Sequence, residues 1–417
     1  MKIALLHYSS PPVVGGVESV LAHHAILMTR AGHQVTIFTG RGESFDPRIS
    51  METLPLLGSR HPDVLSVKKE LDQGRRTAAF DALRERIKSQ LSAALNGFDV
   101  LFAHNVASLH KNLPLTAALF ELYPGTDFPK LILWHHDLAW TTPRYENEMH
   151  PGYPWDCLRD RWEGAEHVVI SELRRLEFSS LTGIPQEVLH VIPNGVDMDS
   201  FLKLEPKTIQ LRDKLNLLQA DPLMLLPVRL TTRKNIELAL YILAALRKQM
   251  PHAMLLVTGP EGPHNPGNAA YKQTLLQLRD SLELRGAAHF LAEVTAEFLP
   301  DSVISDFYRL SDLLLFPSRE EGFGIPMIEA AFSRMPVFCS DITVLQELGN
   351  GDVTYFSPDA DPVSVAEQIA GRLNGEPTLR WARRAKQTYP WNSIYFDLIE
   401  PLIKERRRSD EQGNPKN

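Results

Sequence analysis

Short apolar strands alternate with helical segments along the whole chain, and this alternation limits the fold more than any other feature. A buried strand over residues 3–7 is followed by a turn rich in proline and glycine, a helical pattern over residues 16–29 and a second strand near residues 33–40. The same order of strand, loop and helix begins again at residue 222. Because strand–helix–strand units build parallel sheets, we predict an α/β protein with two doubly wound, Rossmann-like domains.

The length of the chain also favours two domains, because 417 residues are too many for one ordinary core. We place the first domain at residues 1–203 and the second at residues 204–388, and we expect the amphipathic segment 389–403 to pack on one of them. Open α/β sheets bind ligands at the carboxyl ends of their strands. We therefore expect the two domains to face each other across a cleft, with these ends toward it.

The composition excludes several classes of protein. A net charge of −7 and a pI of about 6.1 argue against a general nucleic-acid-binding protein. Cys157 and Cys339 lie far apart and lack metal-ligand spacing, so we expect two reduced thiols. No apolar run approaches the roughly 18–20 residues of a membrane span, and the N-terminal apolar run is too short for a secretory signal. We expect a cytoplasmic protein without integral membrane contact; the basic stretch 68–88 leaves peripheral contact open.

Residues 318–330, SREEGFGIPMIEA, place two carboxylates on either side of a glycine turn. The turn follows a buried strand, and Pro326 suits the first position of a helix. Free N–H groups at residues 323–325, with the positive end of that helix behind them, favour phosphate. Glu321 before the turn and Glu329 in the helix would accept hydrogen bonds from hydroxyl groups. The stretch therefore indicates a ligand with a phosphate group and a polyol ring.

Two other loops offer groups for an anion. Arg229 and Lys234 follow a buried strand, where two cations can neutralise a diphosphate and stabilise it as a leaving group. In the first domain, Gly15 and Gly16 open a helix and supply further backbone donors. That turn lacks the G-x-G-x-x-G fingerprint of dinucleotide-binding proteins, which disfavours an oxidoreductase.

The motifs GGVE, IPNGVD, RLTTRKN and EGFGIPMIEA occur in this order, and with them the chain resembles the retaining glycosyltransferases of family 4, which have the GT-B fold. The resemblance extends from Met1 to the final helix. It implies a retaining, metal-independent hexosyltransferase that moves mannose or glucose from a nucleotide diphosphate sugar to a hydroxyl group of a small molecule or a glycan. It also implies that the first domain is on the acceptor side and receives the C-terminal helix 389–417, and that the second domain binds the donor.

The resemblance assigns roles to residues of this sequence. Glu321 is expected to contact hydroxyl groups of the donor sugar, and Glu329 those of the ribose. Arg229 and Lys234 are expected to bind the diphosphate. Further substrate-binding positions implied by the resemblance lie at the phosphates (Gly15, Gly16, Phe323, Gly324 and Ile325) and at the base (Glu293 and Val294).

Two adjacent histidines, His135 and His136, end a predicted strand near residues 130–137. Neighbouring side chains of a strand face opposite sides of the sheet, so only one ring can reach a ligand. The resemblance assigns this position to His136, near the transferred sugar and among the catalytic residues. His135 is expected to pack on the other side.

Several points stay open in the sequence. A nucleotide-sugar epimerase of the same fold and a non-catalytic sensor of sugar nucleotides are the alternative functions. GDP-mannose and UDP-glucose both fit as donors, with a slight preference for a GDP-hexose from the resemblance. Apart from the nucleotide sugar as co-substrate, no cofactor is expected, and no nucleic-acid partner. Asp-x-Asp occurs only at residues 197–199 and 359–361, neither behind a buried strand, so we expect no catalytic metal.

Overall fold

The computed structural model describes residues 1–125, 128–260, 267–295, 297 and 299–405. The chain divides into two compact units. Unit 1 holds residues 1–195 and a second stretch that begins at Trp391, and unit 2 is Val196–Pro390. Each unit is a parallel sheet with helices, which confirms the predicted α/β class and its two doubly wound domains. Within the described ranges, no helix combines the length and the apolar character that crossing a membrane requires.

Unit 1 contains a parallel sheet of seven strands among its described residues, in the order β3-β2-β1-β4-β5-β6-β7. The strands are β1 (Lys2–His7), β2 (Gln34–Thr39), β3 (Ser50–Thr53), β4 (Val100–His104), β5 (Lys130–His135), β6 (Glu166–Val169) and β7 (His190–Val191). The main helices that connect them are α1 (Gly16–Arg30), α2 (Pro62–Leu71), α3 (Ala78–Ala94), α4 (Leu113–Leu122) and α5 (Glu172–Thr182).

The side chains of β1 show why this sheet is covered on both faces. Ala4 and Leu6 belong to one core, with α3 and α4. Ile3 and Leu5 belong to another, with α1 and the segment after Trp391. Because both faces exclude water, the strand is a continuous apolar run rather than an alternating one, as is typical of parallel sheets.

The stretch that begins at Trp391 is helical and is tied to unit 1 by polar contacts as well as by its apolar face. It consists of Trp391–Ile394, a π-helical turn Tyr395–Ile399 and Glu400–Lys404. Burial alone would raise the pKa of Glu400, but hydrogen bonds from Lys404, Tyr395 and His33 lower it to about 2. Residues 406–417 of the predicted C-terminal helix lie outside the described residues.

Unit 2 contains six strands in its described part, in the order β10-β9-β8-β11-β12-β13. They are β8 (Leu223–Leu226), β9 (Met254–Val257), β10 (Ala288–Phe290), β11 (Leu313–Phe316), β12 (Val337–Ser340) and β13 (Thr354–Phe356). The helices are α6 (Met198–Leu202), α7 (Pro206–Lys214), α8 (Ile236–Leu246), α9 (Gly267–Ser281), α10 (Leu291–Val294), α11 (Asp301–Leu310), α12 (Ile325–Phe332), α13 (Thr343–Gly349), α14 (Pro362–Gly375) and α15 (Pro377–Thr388).

The change between units falls at residues 195 and 196, earlier than the predicted boundary between residues 203 and 204. The reason is that α6 packs within unit 2: Met198 and Leu202 contact its core, and Asp199 forms an ion pair with Arg212. The return to unit 1 falls after Pro390 rather than after residue 388. Val196 pairs with Pro390 in a parallel bridge, so the two ends of unit 2 run side by side.

Candidate functional site

In unit 2 the sheet grows from β8 in two directions, with β9 and β10 on one side and β11, β12 and β13 on the other. Predicted site residues lie in the loops that follow β8 and β11, on the two sides of this reversal. β8 pairs with β9 on one side and with β11 on the other. The helix after β8 packs with α9, whereas the helix after β11 packs with α11, so the two loops diverge. Such a reversal opens a crevice at the carboxyl ends of the strands. A cavity of about 520 Å³ lies there, lined by residues that follow β8, β9 and β10 and by the start of α12.

Helix α12 presents its amino end to this cavity because a glycine permits a sharp turn before it. Gly324 has a φ of +102°, and a Cβ atom there would lie 2.7 Å from Leu345 Cδ2. A substitution would therefore meet both backbone strain and a clash. Ile325 and Glu329, four positions apart, line the cavity together with Pro326. Helix geometry places them on one face, with the free N–H groups of the first turn nearby.

Arg229 is the cation in the wall of the cavity. Its side chain is exposed, and among the described residues it has no hydrogen bond or ion pair. The loop that carries it is fixed by a close contact: a Cβ atom on Gly259 would lie 2.0 Å from the carbonyl oxygen of Val228. Only glycine allows the loops after β8 and β9 to approach this closely. The sequence reading did not identify Gly259.

Lys234 and Glu321 form an ion pair; they belong to the same two loops as Arg229 and Gly324 but do not line the cavity. Both side chains are nearly buried, with exposed fractions of 10% and 7%. Burial lowers the pKa of Lys234, while the bond to Glu321 acts in the opposite direction. Nη1 of the half-exposed Arg233 lies 4.0 Å from the same carboxylate. The two predicted catalytic residues thus neutralise each other in this structure.

Glu329 has a partner that the sequence reading missed. The hydroxyl group of Tyr308, on α11, donates a hydrogen bond of 2.6 Å to Glu329 Oε2. Burial, and then the bond to Glu329, raise the pKa of Tyr308, so the phenol stays protonated. The two residues are 21 positions apart on different helices, and no sequence spacing signals their contact.

The two residues predicted to bind the base, Glu293 and Val294, do not line the cavity. Glu293 forms an ion pair with Arg279, with Oε2 2.5 Å from Nη1, and Val294 packs against the core. The cavity is lined at this point by Ala292 and Thr295 instead. The side chains of the short helix α10 turn to different sides, so the two predicted residues point away while their neighbours face the cavity.

In unit 1, helix α1 begins at Gly16, directly after Gly15. The side chain of Glu18 folds back over this start, and a Cβ atom on Gly15 would lie 2.0 Å from Glu18 Oε2. Ser9 Oγ donates a 2.6 Å hydrogen bond to the same carboxylate. The amino end of α1 is therefore occupied by its own first-turn acid, whereas a Cβ atom on Gly16 would meet open space.

The two adjacent histidines contact different partners, as predicted. His136 Nε2 lies 3.2 Å from His104 Nδ1, whereas His135 Nε2 lies 3.0 Å from His167 Nδ1 and its ring stacks on Phe178. Burial, and then the nearby His7, lower the pKa of His136 to about 3, so the ring is neutral at pH 7. The sequence reading gave His104 no role.

One group among the described residues has metal-ligand geometry: Asp72, His110 and Glu148 in unit 1. Lys68 Nζ lies 2.7 Å from each of the two carboxylates, so an ammonium group already pairs with both of them. None of these residues was predicted to belong to the site. The expectation of a metal-independent reaction remains a prediction.

Comparison with known proteins gives two family models. Residues 14–200 match the model described as Glycosyltransferase Family 4, and residues 207–388 match Glycosyl transferases group 1. Together they extend over both units.

Three relatives are similar over much of the chain. A mannosylglucosylglycerate synthase of Petrotoga mobilis is 27% identical over 63% of this chain and 64% of its own length, which is less than two thirds of that relative. An MMP alpha-(1->4)-mannosyltransferase of Mycolicibacterium hassiacum is 25% identical over 96% of this chain and 97% of its own length. A mannosylglucosylglycerate synthase of Thermotoga maritima is 24% identical over 83% of this chain and 82% of its own length.

The ion pair predicts a stability difference between two neighbouring cations. We expect Lys234→Met to destabilise unit 2 by about 3 kcal/mol, because it leaves the buried Glu321 carboxylate without its closest partner. The added Glu321→Gln change should restore part of the loss. Arg233→Met, the matched control at the half-exposed neighbour, should cost less than about 1 kcal/mol. Urea dependence of hydrogen exchange in β8 and β11 measures these effects, and equal losses in the two single variants would contradict the assignment.

Proposed function

The chain belongs to the glycosyltransferases of family 4 and has the GT-B fold, and we propose that it transfers a mannosyl group from GDP-mannose to a hydroxyl group of a small polar acceptor with retention of configuration. One observation carries the proposal. An arginine without a partner among the described residues, the amino end of a helix and a carboxylate share one cavity, at Arg229, Ile325 and Glu329. A cation and a helix end suit a diphosphate, and a carboxylate suits a pair of hydroxyl groups.

The ion pair of Lys234 and Glu321, on the loops that carry Arg229 and the start of α12, supports a role in donor binding. An incoming diphosphate would attract Lys234, and this would free the Glu321 carboxylate to accept hydrogen bonds from the sugar. Lys234 would then pair with the diphosphate, and Glu321 would accept hydrogen bonds from the sugar hydroxyl groups, so neither buried charge would be left without a partner. We propose that Arg229, Lys234 and the amino end of α12 bind the diphosphate jointly.

The choice of mannose and guanine rests on two observations. The three relatives are a mannosyltransferase and two synthases of a mannosylated product. In addition, two carboxylates line the cavity: Asp301, and Glu297, whose Oε2 lies 2.9 Å from Lys207 Nζ. Guanine presents adjacent N–H donors, which a carboxylate accepts in pairs, whereas uracil presents one donor between two acceptors. These carboxylates support the proposal of GDP rather than UDP.

The proposed chemistry breaks the bond between the sugar C1 atom and the diphosphate oxygen, and the electron pair leaves with the diphosphate. Arg229, Lys234 and the helix end stabilise the charge that develops there. The acceptor oxygen bonds to C1 on the face that the diphosphate leaves, and its proton passes to a phosphate oxygen. We propose that His136, neutral at pH 7, hydrogen-bonds the transferred sugar.

A binding screen followed by product analysis tests this function. GDP should raise the melting temperature more than UDP or ADP does, since binding to the native state stabilises it by about 2.7 kcal/mol at 100 times the dissociation constant. Incubation of the enzyme with GDP-mannose and candidate acceptors such as glucosylglycerate should then give an α-mannoside by NMR. Conversion of the donor alone to an epimer, or binding without any turnover, would favour the alternatives instead.

The two glutamates should respond differently to nucleotide alone. Glu329→Gln should weaken GDP binding by about tenfold, the effect of roughly one hydrogen bond to a charged group. Glu321→Gln should not weaken GDP binding, because its proposed partner is the sugar and the change releases Lys234, and it should lower turnover instead. Calorimetry with GDP decides the matter: equal losses of affinity would refute the division of roles.

Transfer should not require a divalent cation, because side-chain cations and a helix end supply the positive charge at the diphosphate. We expect the rate with EDTA to stay within about twofold of the untreated rate. A loss of activity that manganese or magnesium restores would show the prediction to be wrong.

A further inference from the structure

Tyr308 holds the carboxylate of Glu329 from behind the cavity. The phenol oxygen lies 2.6 Å from Glu329 Oε2, and the tyrosine is 2% exposed. Glu329 lines the cavity, whereas Tyr308 does not. Within the described residues, Tyr308 is the side chain that hydrogen-bonds this carboxylate.

The direction of this hydrogen bond is fixed by chemistry. An ionised carboxylate only accepts, so the phenol must donate. The tyrosine stays protonated at working pH, because burial and the carboxylate both raise its pKa. Its alternative acceptor, the carbonyl oxygen of Pro326, lies farther away at 3.4 Å.

The hydrogen bond from Tyr308 fixes the conformation of the Glu329 side chain before any ligand binds. A free glutamate side chain must give up its rotamer freedom when it binds. The bond to Tyr308 removes that freedom in advance and leaves the second carboxylate oxygen for a ligand. A preorganised acceptor of this kind strengthens binding of groups that donate hydrogen bonds, such as the hydroxyl groups of a ribose.

We infer that Tyr308 is a positioning residue that makes the donor site selective for ribonucleotides. It acts through Glu329 and does not touch the ligand. The inference rests on the proposed function, in which Glu329 binds the ribose diol. It adds a residue from a different helix to that subsite.

The test compares GDP with 2′,3′-dideoxy-GDP by calorimetry in the full chain, or the corresponding uridine pair if the screen selects UDP. In the Tyr308→Phe variant, affinity for GDP should fall by about tenfold, as for roughly one hydrogen bond to a charged group. Affinity for the dideoxy nucleotide should change by less than about twofold, because it has no hydroxyl group for Glu329. The ratio of the affinity for GDP to the affinity for 2′,3′-dideoxy-GDP should therefore fall by nearly as much as the affinity for GDP itself.

Unit 2 offers a matched control in a second tyrosine–glutamate pair. Tyr271 donates a hydrogen bond of the same length, 2.6 Å, to Glu237, and neither residue lines the cavity. Tyr271→Phe should leave the preference between the two nucleotides unchanged. In a Glu329→Gln background, Tyr308→Phe should have no further effect on GDP affinity, because Tyr308 acts through the Glu329 carboxylate, which this variant lacks.

The outcomes separate the inference from the function on which it rests. Equal losses for both nucleotides in Tyr308→Phe would show a merely structural role and overturn the inference. Unchanged affinity for both would overturn it as well. If the unaltered protein binds none of the nucleoside diphosphates, the proposed function fails and the inference fails with it.

Discussion

The requirement that a parallel sheet be covered on both faces determines where every other feature of this protein can lie. Ile3 and Leu5 enter one core and Ala4 and Leu6 another, so neither face of the first sheet is free for a ligand. The carboxyl ends of the strands are then the place where polar groups can gather, and in unit 2 the reversed order at β8 and β11 opens a crevice there. The glycines at positions 259 and 324 serve this arrangement by letting backbone segments approach or turn where a Cβ atom would clash.

The charged groups at that crevice are arranged so that few of them lack a partner. Lys234 neutralises Glu321, and Tyr308 donates to Glu329, whereas the exposed Arg229 has no partner in the described part of the chain and is ready for an anion. Burial makes unpaired charge expensive, so the buried members must be paired in the absence of ligand. A diphosphate sugar suits such a site because it brings both anionic oxygens for the cations and hydroxyl groups for the carboxylates.

The cost of burying an unpaired charge also explains the state of the histidines in unit 1. His7, His24, His104 and His136 are all buried near one another, and burial lowers the pKa of each. The rings are therefore neutral at pH 7 and act as hydrogen-bonding groups and packing groups. His136 reaches His104, and His135 packs with His167 and Phe178 on the other side of the sheet. A neutral ring at the end of β5 can donate or accept a hydrogen bond without adding a charge to the site.

The sequence by itself determined the two α/β domains, because alternating apolar strands and helices are read directly from local pattern. It also located the glycine turn with Glu321 and Glu329 and the loop with Arg229 and Lys234, since loops behind buried strands have recognisable residue types. The tertiary structure alone decided the partners. It paired Lys234 with Glu321 and Tyr308 with Glu329, turned Glu293 toward Arg279, and assigned α6 to unit 2. These contacts join residues distant in the chain, and their geometry depends on how helices pack, which no local spacing encodes.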